Sequence, residues 1–172
     1  MKKHVLSLLL PLVFMIGESA AQTRAETVNW INLKYRNSGL IKDPVNDQQS
    51  FLRINRDGSF EIKANLYEPG AIITYKNLRN AYVIRGHFRD LNPESVRYAV
   101  EGDRLILYAQ CGNNSQCIRQ VETKKDKSAD STLANSVMFG PILINKEQGL
   151  PAEAVKAFRR LITLDGGKKD SL

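Results

Sequence analysis

The sequence predicts a mainly β fold, either a curled antiparallel sheet or a small barrel, flanked by one α-helix at the carboxy terminus. Over most of the chain apolar and polar residues alternate with a period of two, which is typical of strands that bury one face. After residue 150 the apolar residues recur at spacings of three and four, which is typical of an amphipathic helix. With 172 residues, 42% of them apolar, the chain can bury one core, so wholesale disorder and collagen-like or coiled-coil structures are excluded.

Residues 1–21 have the three-part pattern of a secretory signal peptide and are set apart from the fold. Lys2 and Lys3 form a basic start, residues 5–16 form a mostly apolar run, and residues 19–21 are small, as a signal peptidase requires. A membrane anchor would need about 20 apolar residues, and this run is shorter. The sequence therefore predicts a secreted or periplasmic protein without a transmembrane segment.

The mature chain is predicted to be a single β-rich domain over residues 22–172, with the helix at about 151–164 and a flexible tail at 165–172. Signal cleavage removes two lysines and one glutamate, which lowers the formal charge from +7 to +6. It also removes one of the two histidines, so His87 remains alone. A metal site made of several histidines is therefore excluded, and any histidine-dependent acid–base mechanism must use His87.

The strands in the first half of the chain are predicted from alternating residues. Ile31, Leu33 and Tyr35 alternate with polar residues, which predicts a strand with one face towards the core. Two further alternating runs flank Asp57-Gly58, and glycine accepts the positive φ of a hairpin turn, so these runs predict a β-hairpin. Short strands are expected at residues 72–75 and 81–85.

The second half of the chain is predicted to continue the antiparallel pattern. Residues 96–100 and 105–110 lie on either side of a turn that contains Gly102, which predicts a second hairpin. Residues 123–135 are mostly polar, with several lysines, and are predicted to form a mobile insertion. A last strand is expected at residues 137–144, before the terminal helix.

The terminal helix is predicted to begin at Pro151, because proline suits a first helical turn. One helical face carries an apolar stripe formed by Ala154, Val155, Phe158, Leu161 and Ile162. A stripe of this width normally packs against the protein's own sheet, and a helix that binds a partner is the alternative. We therefore expect the stripe to be buried in the core.

The order of the elements gives a further indication of the fold. Residues 72–81 lie in the middle of the chain, a hairpin follows whose second strand starts Leu105-Ile106-Leu107, and the helix closes the domain. This order, over about residues 28–164, resembles the pleckstrin-homology-like superfold, in which a seven-stranded, two-sheet barrel is capped by a carboxy-terminal helix. The resemblance implies such an arrangement here. A lipocalin-like barrel, with eight strands and a late helix, is the alternative.

The two cysteines, Cys111 and Cys117, lie on either side of a turn-forming sequence and next to predicted strands. In an exported protein, thiols at this spacing are expected to form a disulfide across the turn. A redox site would more commonly have two residues between its cysteines, and a zinc site would need further ligands that the mature chain lacks. The sequence therefore predicts a Cys111–Cys117 disulfide, with no metal and no cofactor.

Arg85, His87 and Arg89 recur at period two, which would align them on one face of a strand as a basic stripe. Such a stripe can bind an anionic ligand or an anionic lipid surface, and His87 would add a charge as the pH falls. The alternative is a solvated strand face with compensating acids, and Asp90 is adjacent. These three residues are the candidate binding residues.

No motif in the sequence indicates catalysis. Ser95 or Ser136 can be combined with His87, but any chain of this length offers such combinations, and there is no catalytic serine turn or phosphate-binding glycine loop. We therefore expect an exported, noncatalytic binding or interaction module, not an enzyme, whose loops or sheet edge contact a protein or peptide partner. The alternatives are a small carrier of an apolar or anionic ligand and, with less support, a hydrolase. Nucleic acid is not expected as a partner.

Overall fold

The computed structural model describes residues 23–38, 40–42, 47–70, 72–126, 128–144 and 149–168. The predicted signal peptide and the end of the predicted tail, residues 169–172, lie outside the described residues. Among the residues that are described, no helix is both long and apolar enough to cross a membrane.

The described chain contains two α-helices and nine β-strands. The helices are α1 (Arg24–Ser38) and α2 (Leu150–Leu164). The strands are β1 (Leu40–Ile41), β2 (Asp47–Ile54), β3 (Ser59–Tyr67), β4 (Leu78–His87), β5 (Arg97–Glu101), β6 (Arg104–Gln110), β7 (Ile118–Lys124), β8 (Ala129–Ala134) and β9 (Ser136–Leu143). The carboxy-terminal helix is therefore confirmed, close to its predicted bounds.

The strands form two antiparallel sheets. Six strands pair in the order β1-β2-β3-β4-β7-β8, and three pair in the order β5-β6-β9. The mainly β class with a carboxy-terminal helix is thus confirmed. The described strands of one sheet do not pair with those of the other, so the sheets are not closed into a barrel of the lipocalin-like kind. The pleckstrin-homology-like resemblance stays a prediction.

Both predicted hairpins are present. β2 and β3 pair along all of β2, and Gly58 takes a φ of 85° in the turn between them. β5 and β6 pair along all of β5, and Gly102 takes a φ of 64° in their turn. Residues with a side chain rarely adopt such positive φ values, which is why each turn has glycine at this position.

The predicted strand around Ile31 is wrong, because this segment belongs to α1. The helix buries Ile31 and Tyr35, which lie four residues apart on one helical face, and leaves Leu33 51% exposed. Its start is stabilised by a capping box: the Glu26 N–H donates to Thr23 Oγ1 at 3.2 Å, and the Glu26 carboxylate accepts from the Thr23 N–H. Helical burial at a spacing of four therefore prevails over the alternating pattern.

Two further segments differ from their predicted structures. Residues 123–135, predicted as a mobile insertion, include the end of β7 and all of β8, and the Lys124 N–H donates to Ser128 O at 3.0 Å. Residues 72–75 do not form a strand, and Ile72 is 80% exposed. In the first segment, pairing with β7 orders polar residues that have no apolar pattern of their own.

The core is formed by one face of each sheet and by both helices. Four buried phenylalanine rings meet at its centre, with centroid separations between 4.7 and 6.5 Å. They are Phe60, Phe88, Phe139 and Phe158. Phe158 belongs to the apolar stripe of α2, so the stripe packs within the protein's own core, as predicted.

The start of α1 and the end of α2 are held together by a partly buried ion pair. Arg24 Nη2 donates to Asp165 Oδ2 at 3.0 Å and also to Asn55 O at 3.0 Å. Asp165 is the first residue of the predicted tail. This contact therefore fixes the start of the tail against the amino-terminal helix and the turn of the first hairpin.

Candidate functional site

The three predicted binding residues lie at the end of β4 and just beyond it. Arg85 pairs with Glu61 directly opposite on β3, with 2.7 Å between Arg85 Nε and Glu61 Oε2. His87 is the last residue of β4, and its Nδ1 accepts a hydrogen bond from the Arg89 N–H at 3.4 Å. Arg89 lies in a short 3-10 turn, where its Nε is 3.9 Å from Asp90 Oδ1.

The alignment of Arg89 with Arg85 and His87 on one strand face is wrong, because β4 ends at His87. The next residue, Phe88, is fully buried in the core, and the 3-10 turn Phe88–Asp90 takes the backbone out of the strand direction. No single strand face therefore holds all three residues. Anion binding by them stays a prediction.

The predicted disulfide is present. Cys111 and Cys117 are bonded across the 3-10 turn Gly112–Asn114, with 5.9 Å between their Cα atoms. The bond connects the end of β6 in the smaller sheet to the start of β7 in the larger one. Since these are the only two cysteines of the chain, neither offers a free thiol for chemistry. The bond therefore ties the two sheets together.

Ser95, one of the two serines considered for catalysis, has structural contacts. Ser95 Oγ donates to Asn92 O at 2.6 Å and accepts from the Gln110 N–H at 2.8 Å, which fixes the turn before β5. Within the described ranges, no group of three or more histidine, cysteine, aspartate or glutamate side chains is placed to hold a metal ion. Grooves and sheet edges are therefore the remaining candidates in this part of the chain.

A groove with a volume of about 390 Å³ runs between α1 and β2, and we name it the α1–β2 groove. It is lined by Asn32, Tyr35, Arg36 and residues 49–54. The helical wall is positioned by Ile31 and Tyr35, which anchor α1 in the core. The other wall is the strand β2.

The β2 wall of the α1–β2 groove is an open sheet edge. β1 pairs only with Gln48 and Gln49, so residues 50–54 have no strand neighbour on this side in the part of the chain that is described. On the opposite side, β3 pairs with all of β2. An open edge of this kind can accept a further strand.

The direction of each peptide group along β2 follows from the turn after it. The Asn55 N–H donates to Ser59 O at 2.9 Å, so the peptide groups of Asn55 point towards β3. In an antiparallel ladder the peptide groups alternate in direction from one residue to the next. The N–H and C=O groups of Ser50, Leu52 and Ile54 therefore point into the α1–β2 groove.

The groove also presents apolar surface. Leu52 and Ile54 pack against the core, and Phe51, on the opposite face of β2, is 50% exposed. Tyr35 is 5% exposed, and its hydroxyl has no hydrogen-bond partner among the described residues. Burial raises the pKa of the Tyr35 phenol well above its usual value, so the side chain stays neutral.

The α1–β2 groove is positively charged. Arg36 and Arg53 line it, and both are exposed. Among the described lining residues there is no aspartate or glutamate, and neither arginine forms an ion pair with another described residue. Two guanidinium groups that have no ion-pair partner among the described residues, beside peptide groups that point into the groove, attract a chain that carries carboxylates.

The sequence does not predict the α1–β2 groove, for two reasons. The alternating pattern predicts a strand at Tyr35, but this residue lies on α1, the helix that forms one wall of the groove. The open edge depends on strand order, which a single sequence does not display. One local signal was present: Thr23 is followed three residues later by Glu26, the spacing of a capping box, which places Tyr35 on a helix.

The chain matches no protein-family model, and neither a curated protein nor a solved structure is significantly similar to it. A functional proposal therefore depends on the α1–β2 groove and on the other described surfaces.

Proposed function

We propose that this protein is an exported, noncatalytic interaction module that binds an extended acidic segment of a protein or peptide partner. The segment is added as a strand to β2 within the α1–β2 groove. The observation that carries the proposal is the open edge at residues 50–54. The peptide groups there face a groove whose described lining residues include two arginines and no acidic residue.

The backbone supplies the general part of the binding. Ser50, Leu52 and Ile54 each offer one N–H donor and one C=O acceptor on the groove side. Each hydrogen bond contributes about 0.5–1.5 kcal/mol net, and association must first offset the lost translational and rotational freedom of the partner. Backbone pairing alone is therefore weak, and side-chain contacts are needed for useful affinity.

The side chains of the groove supply selectivity. Carboxylates of the added strand meet Arg36 and Arg53, and hydrogen bonds between such charged groups are about twice as strong as neutral ones. Apolar residues of the partner cover Phe51, which is otherwise half-exposed. The preferred partner is thus an extended segment that carries both acidic and apolar residues.

A carrier that holds a ligand inside the fold is the other candidate, and two observations favour the interaction module. The described strands of the two sheets do not close around a hollow, and four phenylalanine rings fill the centre of the core. A carrier would need a cavity at that place. Export is supported by the Cys111–Cys117 disulfide, because such bonds persist in oxidising compartments.

The test removes one backbone donor from the open edge. Ser50→Pro deletes an N–H that points into the groove and leaves the β2–β3 ladder intact, because an edge strand tolerates proline when its nitrogen faces outwards. The probe is a short synthetic peptide of alternating glutamate and valine, titrated calorimetrically into the mature protein. We expect the wild type to bind the peptide and Ser50→Pro to lose most of the affinity.

Ser131→Pro is the matched control, because Ser131 lies on β8, the opposite edge of the same sheet. The Lys124 N–H donates to Ser128 O, so the peptide groups of Ser128 point towards β7. Because peptide groups alternate in direction along a strand, the N–H of Ser131 points outwards. We expect this variant to bind the peptide like the wild type. Equal binding by all three folded proteins, or no binding by the wild type, would contradict the proposal.

A further inference from the structure

β5 is a second open edge, at the side of the smaller sheet. It pairs with β6 on one side and, as far as the described residues extend, with no strand on the other. A two-residue turn that starts at Gly102 joins the strands, so Glu101 and Arg104 are the hydrogen-bonded pair that closes the hairpin. Because the peptide groups alternate in direction along a strand, the N–H and C=O groups of Tyr98 and Val100 point away from β6.

The side chains at these two outward positions are apolar and half-exposed. Tyr98 is 52% exposed and Val100 is 47% exposed. They lie on the same face as Leu107 and Leu105, their buried partners on β6. A groove of about 500 Å³ between β5 and α2 adjoins this surface, and its lining combines Val155 with Arg97 and Arg159. Apolar side chains on an open edge favour pairing with another strand.

The sequence of β5 is complementary to itself when a second copy runs antiparallel. The strand consists of Arg97, Tyr98, Ala99, Val100 and Glu101. With Ala99 opposite Ala99 of the second copy, Arg97 lies opposite Glu101, and Tyr98 lies opposite Val100. Each charge then meets its opposite, and each large apolar side chain meets another. Arg97 and Glu101 are exposed and form no ion pair with any other described residue.

We propose that β5 binds a second copy of this chain through this two-fold pairing, which joins two three-stranded sheets into one continuous sheet. The backbone agrees with this register. Tyr98 and Val100 carry the outward peptide groups, so each Tyr98–Val100 pair across the axis exchanges both of its hydrogen bonds. Ala99 lies at the two-fold axis, where its small side chain allows the strands to approach.

A second copy fits β5 better than it fits β2. Two β2 edges would bring Arg53 and Arg36 of both copies together, with no acidic residue among the lining side chains that the structure describes. At β5, in contrast, an acidic segment would meet Glu101 as well as Arg97. The charges therefore direct different partners to the two edges, and dimerisation does not depend on peptide binding at the α1–β2 groove.

The test reverses the two charges of β5 separately and then mixes the variants. Arg97→Glu and Glu101→Arg each place like charges directly opposite each other, so we expect each to weaken the dimer at least about tenfold. An equimolar mixture restores opposite charges at both pairs, and we expect it to form a heterodimer. Sedimentation equilibrium of the mature proteins over a wide concentration range measures both effects. Arg119→Glu, a charge reversal on β7, is the control and dimerises like the wild type.

The double variant Arg97→Glu/Glu101→Arg separates charge pairing from misfolding. It carries both substitutions but restores complementarity within its own homodimer, so we expect a dimer close in affinity to the wild type. Circular dichroism checks that every variant is folded. The proposal is overturned if the wild type is monomeric at all concentrations, if the folded single variants dimerise as well as the wild type, or if the folded mixture and double variant remain monomeric.

Discussion

The open edges at β2 and β5 offer the same backbone groups but different side chains. At β2 the outward peptide groups lie in a groove whose described residues include Arg36 and Arg53 and no acidic side chain. At β5 they lie between Arg97 and Glu101, one charge of each sign. The backbone of either edge can pair with any extended chain, so the partner must be selected by the side chains beside that edge. We therefore assign a foreign acidic segment to β2 and a second copy to β5.

The edge at β8 shows a third situation, in which pairing is discouraged. Its central residues Asp130, Ser131 and Thr132 are polar and exposed, and Lys124 on β7 contacts Asp130 at 2.8 Å. Charged and polar side chains are a common protection of sheet edges against unwanted pairing. β8 therefore provides the control position for variants at the other two edges.

The largest effect is expected from Phe158→Ala, because Phe158 packs in the core that both sheets share. The ring is fully buried, and its centroid lies 4.7 Å from that of Phe139. Its loss leaves a cavity that should reduce the free energy of unfolding by about 3–5 kcal/mol, measured by chemical denaturation. Peptide binding and dimerisation should then fail together. A loss below about 0.5 kcal/mol would show that α2 is not held in the core.

A smaller effect is expected from Arg53→Gln, which removes one guanidinium from the α1–β2 groove and leaves the backbone edge unchanged. The acidic peptide should bind about fivefold more weakly, or about 1 kcal/mol, with less dependence on salt. Arg85→Gln is the matched control, because Arg85 is also an exposed strand arginine but already pairs with Glu61. If only Arg85→Gln weakens binding, the anion site is the basic end of β4 and not the groove.

The smallest effect is expected from Tyr35→Phe, which tests the groove without changing its shape. The hydroxyl has no partner among the described residues, so its removal should leave stability unchanged or raise it by up to about 1 kcal/mol. Denaturation at neutral pH measures this change. A marked loss of stability would show that the hydroxyl is hydrogen-bonded in the folded protein.

The Tyr35→Phe variant should also differ from the wild type in how its stability changes at alkaline pH. Burial raises the pKa of Tyr35 in the folded state, so the unfolded state loses its phenolic proton first as the pH rises above about 10. The wild type should therefore lose stability with rising pH there, and Tyr35→Phe should lose less. Identical alkaline profiles for the two proteins would contradict the buried, neutral phenol.

The features that the sequence predicted well are those with local signals. Gly58 and Gly102 mark the two hairpin turns, and the spacing of Phe158 and its neighbours marks α2. The cysteines are close in the chain, and a turn brings them together. In each case a few neighbouring residues determine the backbone, so no knowledge of distant contacts is needed.

The features that the sequence did not predict depend on distant contacts or on competing patterns. The alternation of Ile31, Leu33 and Tyr35 fits a strand, but burial at a spacing of four and the capping box produce α1. Arg89 leaves the strand face because β4 ends at His87 and the chain continues as the 3-10 turn Phe88–Asp90. The open edges themselves follow from strand order, which arises only when all the strands have paired.

The most direct test of strand addition at β2 is residue-resolved amide hydrogen exchange by NMR, with and without the acidic peptide. In the free protein the Phe51 and Arg53 amides point towards β3 and should exchange slowly, whereas those of Ser50, Leu52 and Ile54 point into the groove and should exchange fast. At saturating peptide, strand addition predicts slow exchange at all five positions. Unchanged fast exchange at the three groove-facing amides, with the peptide bound, would contradict it.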